Sequence, residues 1–272
     1  MKTRRDQMTG GSRMRKVKND LMRNADRERR FCFKQFDVLN DRCGMKVGTD
    51  GVLIGAWAFG GVPSDASGSM LDVGTGSGLI ALMMAQRFPR LTVTGIDIDD
   101  DALVEAGINF SQSLWSDRLE VLKVDFCIMA EGATSGSYDF IVSNPPFFAN
   151  GALSPDEARR TARHVGSLNF SSFVSGASKL LKPGGRMALV APYDELAGIM
   201  FEASLRGLQC VRQCAVGTVR RKPFRRILLE FTNGTDNGSS ATEEDMQLYI
   251  HDDGGDFSAG YRELTKDFYL KF

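Results

Sequence analysis

The chain has little of what builds metal centres and disulfide frameworks. Its 272 residues include 5 cysteines and 2 histidines. Cys32, Cys43, Cys127, Cys210 and Cys214 form no Cys-x-x-Cys pair and are odd in number, so free thiols are expected. With His164 and His251 as the only imidazoles, a zinc site is not expected. No apolar run approaches the ~20 residues of a membrane-spanning helix. No secretory signal is seen ahead of the domain, so a cytoplasmic, soluble protein is expected. There is no net charge to select a class of partner, because 34 Lys/Arg balance 34 Asp/Glu. No internal repeat is visible. The 42 % apolar content suffices for one substantial α/β domain.

Glycine is abundant, and its placement is informative. Ser69 to Val73 reads as a short buried strand, Leu79 to Ala85 as an apolar helical run. Between them stands Gly74-Thr75-Gly76-Ser77-Gly78. A glycine-rich turn between strand and helix lets a ligand approach the backbone closely. Such a turn also serves dinucleotides, and a loop with no ligand has the same composition. The next strand, Leu91 to Asp97, ends in an acid 19 residues past Gly78. An acid at that spacing suits a ribose diol. Asp99, Asp100 and Asp101 fit the capping of the following helix better than Asp97 does. Asp72, at the end of the first strand, suits a ligand's ammonium group. A third strand, Leu119 to Val124, leads into Asp125-Phe126, an acid and a ring suited to an adenine.

The fourth strand, Tyr138 to Ser143, runs into Asn144-Pro145-Pro146-Phe147-Phe148. Asn144 offers a side-chain carbonyl. Pro145 lacks an N–H and leaves its own carbonyl free to accept. Pro146 restricts the residue before it, and Phe147 can stack on a planar base. The set suits chemistry on an exocyclic amine; a Pro-Pro turn with core aromatics is the plainer reading. Together the four strands place one functional group each at their carboxyl ends, and in an open α/β sheet those ends form one crevice.

On these residues the chain resembles the class I S-adenosylmethionine-dependent methyltransferases with an Asn-Pro-Pro-aromatic motif. More narrowly it is similar to the bacterial tRNA1(Val) adenine N6-methyltransferase family. Further matching segments are Phe33 to Phe36, Met45 to Trp57, Arg225 to Phe231 and Leu264 to Leu270. The resemblance covers residues 31 to 272 and implies a Rossmann-like α/β fold. A seven-stranded, mostly parallel sheet with a final antiparallel hairpin and helices on both faces is expected. The implied cofactor is S-adenosylmethionine, held by Thr49, Asp72, Gly74, Gly76, Gly78, Asp97, Ile98, Asp125, Phe126 and Asn144. The implied substrate is tRNA, at the adenine 3′ of a valine anticodon. No metal, membrane or obligate protein partner is implied. Asn144, Pro145, Pro146 and Phe147 are the implied catalytic set. Glutamine N-methylation of a protein and guanine N2-methylation of rRNA use the same motif, and a non-catalytic RNA-binding module is the reading from another class.

The expected organisation is a leader over residues 1 to 30 and one domain from 31 to 272. Within that domain the expected parts are an N-terminal segment (31–68), a core (69–231), a linker (232–245) and an aromatic ending (246–272) that folds back. Val47 to Phe59 reads as a helical or mixed apolar segment that, by the resemblance, helps close over the cofactor; the plainer reading, compatible with it, is that Thr49 or Asp50 caps the helix. Phe170 to Leu181 and Glu195 to Arg206 read as helices, Arg186 to Ala191 as a strand, and Gln209 to Val219 with Arg226 to Phe231 as a hairpin. Two basic clusters suit RNA phosphates: Arg159, Arg160 and Arg163, and Arg220, Arg221, Lys222, Arg225 and Arg226. The leader holds 11 Lys/Arg against 4 Asp/Glu. An inert solvated tail, or a start at Met22, outweighs an RNA role for it.

Overall fold

A computed structural model of the chain describes residues 30–132, 136–145, 168–234 and 245–272. Residues 1–29 of the expected leader, Pro146, Phe147 and the Arg159–Arg163 cluster lie outside the described residues, while Arg30, placed at the leader's end, opens a strand. The strands are β1 Arg30–Cys32, β2 Asp37–Leu39, β3 Ser67–Val73, β4 Arg90–Asp97, β5 Leu119–Lys123, β6 Tyr138–Ser143, β7 Leu181–Pro192, β8 Leu208–Gly217, β9 Phe224–Asn233 and β10 Asp245–Tyr249. The helices are α1 Thr49–Trp57, α2 Leu79–Arg87, α3 Asp100–Ser111, α4 Phe126–Gly132, α5 Phe170–Leu180, α6 Leu196–Leu205 and α7 Ala259–Thr265.

The main sheet runs β10-β8-β9-β7-β6-β3-β4-β5. β7, β6, β3, β4 and β5 are parallel, and β9 returns antiparallel between β7 and β8. The sheet therefore has eight strands where seven were expected. The eighth, β10, pairs parallel with β8 and covers what would be an open edge. β9 also runs on to Asn233, past the expected start of the linker.

Period-two alternation divides the strands between two apolar layers. Met70, Phe140, Val142, Ala188, Val190 and Leu228 face one layer, with α1, α2 and the chain's ending. Leu71, Val73, Ile141, Leu189, Ala191 and Leu229 face the other, with α4, α5 and α6. Helices thus cover both faces, as expected. In α2 every residue from Leu79 to Ala85 is buried, so this helix is apolar all round rather than amphipathic. The ending packs on the first layer, burying Tyr261 and Phe268. Lys34 ties it down through Nζ to the carbonyls of Lys266 and Phe272, at 2.6 and 2.7 Å. Among the described residues no helix is long and apolar enough to cross a membrane.

Candidate active site

The crevice at the carboxyl ends of the parallel strands collects the acids and the asparagine. Register fixes this: Val73 lies beside both Ile96 and Ser143, and Ser143 beside Leu189. Ser143 Oγ donates to the Val73 carbonyl at 2.8 Å and locks the two strand ends together.

The glycine loop turns at φ +69°, +55° and +81° at Gly74, Gly76 and Gly78, a region that disfavours any side chain. At Gly78 space also matters, since a Cβ would stand 2.5 Å from the Phe110 ring. The loop's N–H groups are mostly spent internally. Gly74 and Thr75 donate to the Ile96 carbonyl, both at 2.9 Å, and Gly78 to the Thr75 carbonyl at 2.8 Å. Gly76 donates to Asp97 Oδ2 at 2.9 Å. Asp72 Oδ2 accepts from Thr75 Oγ1 at 2.7 Å and from Ala81 N, in the first turn of α2, at 3.1 Å. A buried carboxyl thus sits where a dinucleotide site would hold pyrophosphate. This chemistry turns phosphates away and suits a cationic ligand.

Asp72 has no exposed surface. Burial is the main cause that raises its carboxyl to about 7; Thr75 and Ala81 pull the other way and Asp97 adds to the rise. Its Oδ1 is buried with no partner among the described residues. An orphaned acceptor of this kind fits an incoming ammonium donor.

Asp97 is half-buried. Besides Gly76 it accepts from the N–H groups of Ile98 and Asp99, at 2.8 and 3.0 Å, so it shapes the strand's exit as well as facing the crevice. Asp99 is the true cap of α3, accepting from Asp101 N and Ala102 N. Asp125 accepts from Cys127 N at 2.8 Å and opens α4. The Phe126 ring is core: it lies 5.6 Å from the Phe173 ring and would meet a Cβ at Gly176. The ring suggested by the sequence for an adenine thus packs within the apolar layer.

Asn144 leaves β6 with its Nδ2 donating to Met45 Sδ at 3.4 Å. Its Oδ1 is buried and without a partner among the described residues. Pro145 behind it is buried. Met45 was not singled out from sequence. It belongs to a strap, residues 39–46, that α3 fastens over the glycine loop. Glu105, fully buried, accepts from the N–H groups of Asp41, Arg42 and Cys43. Asn109 bonds Leu39 through both N–H and carbonyl, and donates to the Ser77 carbonyl at 2.8 Å. Cys43, its thiol raised chiefly by burial, fills the space beside Gly76.

Neither Thr49 nor Asp50 caps α1, so the plainer reading of these two residues does not hold. The capping residue is Gly48, with no side-chain bond. Thr49 is exposed, and Asp50 pairs with Arg226 at 2.8 Å. The basic hairpin tip does lie at the crevice end, because Arg226 is level with Pro192 at the end of β7. Arg221 pairs loosely with Asp253 at 3.6 Å. Two cavities of about 260 and 350 Å³ lie elsewhere, toward the amino ends of the strands. Asp139 and Arg186, in the first, are already paired with Lys182 and Glu230, so they offer no unused charge. Among the described residues no cluster of His, Cys, Asp or Glu could hold a metal ion.

A parallel sheet whose crevice combines a glycine turn, an orphaned buried acid and an Asn-Pro at a strand end defines the methyltransferase class. Residues 60–214 match the methyltransferase small domain family. A predicted O-methyltransferase from Agrobacterium tumefaciens superposes with a TM-score of 0.61 over 80 % of this chain and 96 % of its own, at 19 % identity. A methyltransferase from Pyrococcus furiosus gives 0.52 over 83 % and 99 %, also at 19 % identity. These two share the fold. The tRNA1(Val) (adenine(37)-N6)-methyltransferase of Bacteroides fragilis is 41 % identical, over 89 % of this chain and 98 % of its own. The proteins of the same name from Photobacterium profundum and Porphyromonas gingivalis are 40 % and 41 % identical, over 89 % and 88 % of this chain and 98 % and 94 % of their own. The chain belongs to the tRNA1(Val) (adenine(37)-N6)-methyltransferase family.

Proposed function

We propose that this protein methylates the N6 amine of adenine 37 in tRNA1(Val), in the cytoplasm, with S-adenosylmethionine as donor. The observation that carries the reading is the pair of acceptors without a partner among the described residues, Asp72 Oδ1 and Asn144 Oδ1, at neighbouring strand ends. When bound, the cofactor supplies an electrophilic methyl group on a sulfonium. Asp72 Oδ1 holds its ammonium group, Asp97 its ribose hydroxyls and Asp125 its adenine. Asn144 Oδ1 and the Pro145 carbonyl accept from the substrate's N6–H. An aromatic amine is a poor nucleophile because its lone pair delocalises into the ring. Two acceptors on its hydrogens favour the pyramidal nitrogen of the transition state over the flat ground state. They also aim the lone pair. Pro146 and Phe147 complete the base pocket in this reading. An anticodon-loop base is single-stranded and enters such a pocket at low cost. The hairpin cations, with Arg159, Arg160 and Arg163, take the phosphates.

The test is transfer of labelled methyl from S-adenosylmethionine into total tRNA, protein and rRNA, followed by nucleoside analysis. Label in tRNA as N6-methyladenosine is the expected result. Label in protein glutamine or in guanine N2 overturns the substrate, and no transfer overturns the reading as an enzyme.

A further inference from the structure

Three aromatic rings stand in a row on the crevice side of the sheet, and nothing in the methyl-transfer chemistry uses them. Tyr193 follows the last residue of β7, Phe224 opens β9, and Tyr249 closes β10. Ring centroids are 5.6 Å apart for Tyr193 and Phe224, and 5.7 Å for Phe224 and Tyr249. All three are half-buried. The second contact is unusual, because β8 lies between β9 and β10. It forms because the β8 residue level with both Phe224 and Tyr249 is Gly217. A Cβ there would stand 3.0 Å from the Tyr249 ring and 3.5 Å from the Phe224 ring. The glycine clears the strand end so that the rings close over it.

The row begins on β7, one strand from Asn144, and ends on β10, four strands away. At about 4.8 Å per strand that is a track of roughly 5 to 19 Å from the proposed acceptor site. The basic hairpin edges the track. Arg220 lies 5.7 Å from the Tyr249 ring centroid. Arg221 and Arg226 are paired with Asp253 and Asp50. Arg220, Lys222 and Arg225 have no ion pair among the described residues. Exposed Asp194 and Glu195 follow Tyr193 and keep phosphates to the hairpin side. Rings flanked by unpaired cations fit single-stranded nucleic acid, which stacks its bases and neutralises its backbone at once.

We propose that Tyr193, Phe224 and Tyr249 form a stacking site for nucleotides flanking the methylated base, with Arg220, Lys222 and Arg225 on their phosphates. This rests on RNA being the substrate. The test uses the full chain and a transcribed tRNA anticodon stem–loop, with affinity measured against salt. Tyr193→Ala and Tyr249→Ala are each expected to weaken binding about tenfold at every salt concentration, with the salt slope unchanged. Tyr249→Phe keeps the affinity, since the ring remains. Arg220→Ala and Lys222→Ala instead flatten the slope. S-adenosylmethionine binding stays at the wild-type value in all of them, which reports an intact fold. Tyr→Ala variants that bind the stem–loop like wild type, while wild type binds and methylates it, overturn the stacking site alone. So does a loss of cofactor binding that accompanies every loss of RNA binding, because the rings are then structural. Wild-type protein that binds no RNA overturns both the stacking site and the proposed function.

Discussion

Asp72 and Glu230 are both carboxylates with no exposed surface, and they occupy the same row of the sheet. Asp72 is level with Val142, Val142 with Ala188, and Ala188 with Glu230. Both project to the face where α1 and α2 pack, judged by their neighbours Met70 and Leu228. Three strand spacings separate them, about 14 Å. Their surroundings differ. Glu230 accepts from Arg186 at 2.9 Å, from Arg212 at 3.0 Å and from Phe59 N at 3.0 Å. Among the described residues, Asp72 has one oxygen bonded and one bare, and no cation as a partner. Burial of a charge therefore does not mark a site by itself. A buried charge whose surroundings leave it incomplete does.

The largest effect expected from this contrast is on stability. Glu230→Ala leaves the Arg186 and Arg212 guanidinium groups facing each other without their anion. The cost should be about 3 kcal/mol, read as a fall in the urea midpoint. Cofactor affinity of the folded protein should not change. A lowered affinity would mean that the two carboxylates are not independent.

Asn144→Ala tests the other orphan. Among the described residues its side chain makes one weak bond, to sulfur, so the fold should hold, with Tm near the wild-type value. Turnover at saturating tRNA and cofactor should fall about 100-fold or more, as when a transition-state acceptor or donor is removed. Unchanged turnover would remove Asn144 from the mechanism.

The smallest effect is expected at Met45. Its thioether accepts from Asn144 Nδ2, an arrangement that leaves Oδ1 for the amine contact proposed above. Met45→Leu keeps the volume and deletes a weak acceptor. A fall of about fivefold in kcat, equivalent to ~1 kcal/mol, is expected without change in the KM for cofactor. Met45→Gln, whose oxygen accepts better, should retain activity. Equal loss in both variants would show that Met45 only packs.

The ladder of strands and the glycine turn were legible in the sequence because each is written locally. The bounds expected for β6 are those observed, and the cap of α3 falls within the Asp99 to Asp101 run that its neighbours suggest. What was not legible depends on residues far apart in the chain. Met45 and Asn144 are 99 positions apart, and Asp50 and Arg226 are 176 apart. No local pattern tells Asp50 as a cap from Asp50 as an ion-pair partner. The packing of Phe126 is illegible for a related reason. A ring after a strand-end acid suggests a ligand wall, but α4 begins at Phe126 and turns that ring into the apolar layer. β10 escaped notice because it follows a polar, glycine-rich stretch and pairs parallel to a strand far back in sequence.

The direct test of the contrast is S-adenosylmethionine binding by calorimetry, against pH, for wild type, Asp72→Asn and Glu230→Gln. The Asp72 carboxyl is raised to about 7, so below that pH the unliganded site is protonated and the ammonium loses its counter-charge. Affinity of wild type should therefore rise with pH, by up to about tenfold per unit below pH 7, and fall again above about pH 8, where the ligand's own α-ammonium loses its proton. The sign for folding is opposite. A raised carboxyl contributes stability at low pH and loses it as pH climbs from the ordinary 3.8 to about 7, so the unliganded protein weakens over the range in which cofactor binding strengthens. Asp72→Asn should bind weakly at every pH, with a flat profile below pH 7, while Glu230→Gln follows the wild-type curve. Wild-type affinity and pH profile in Asp72→Asn would contradict the account, because the bare oxygen would then hold nothing.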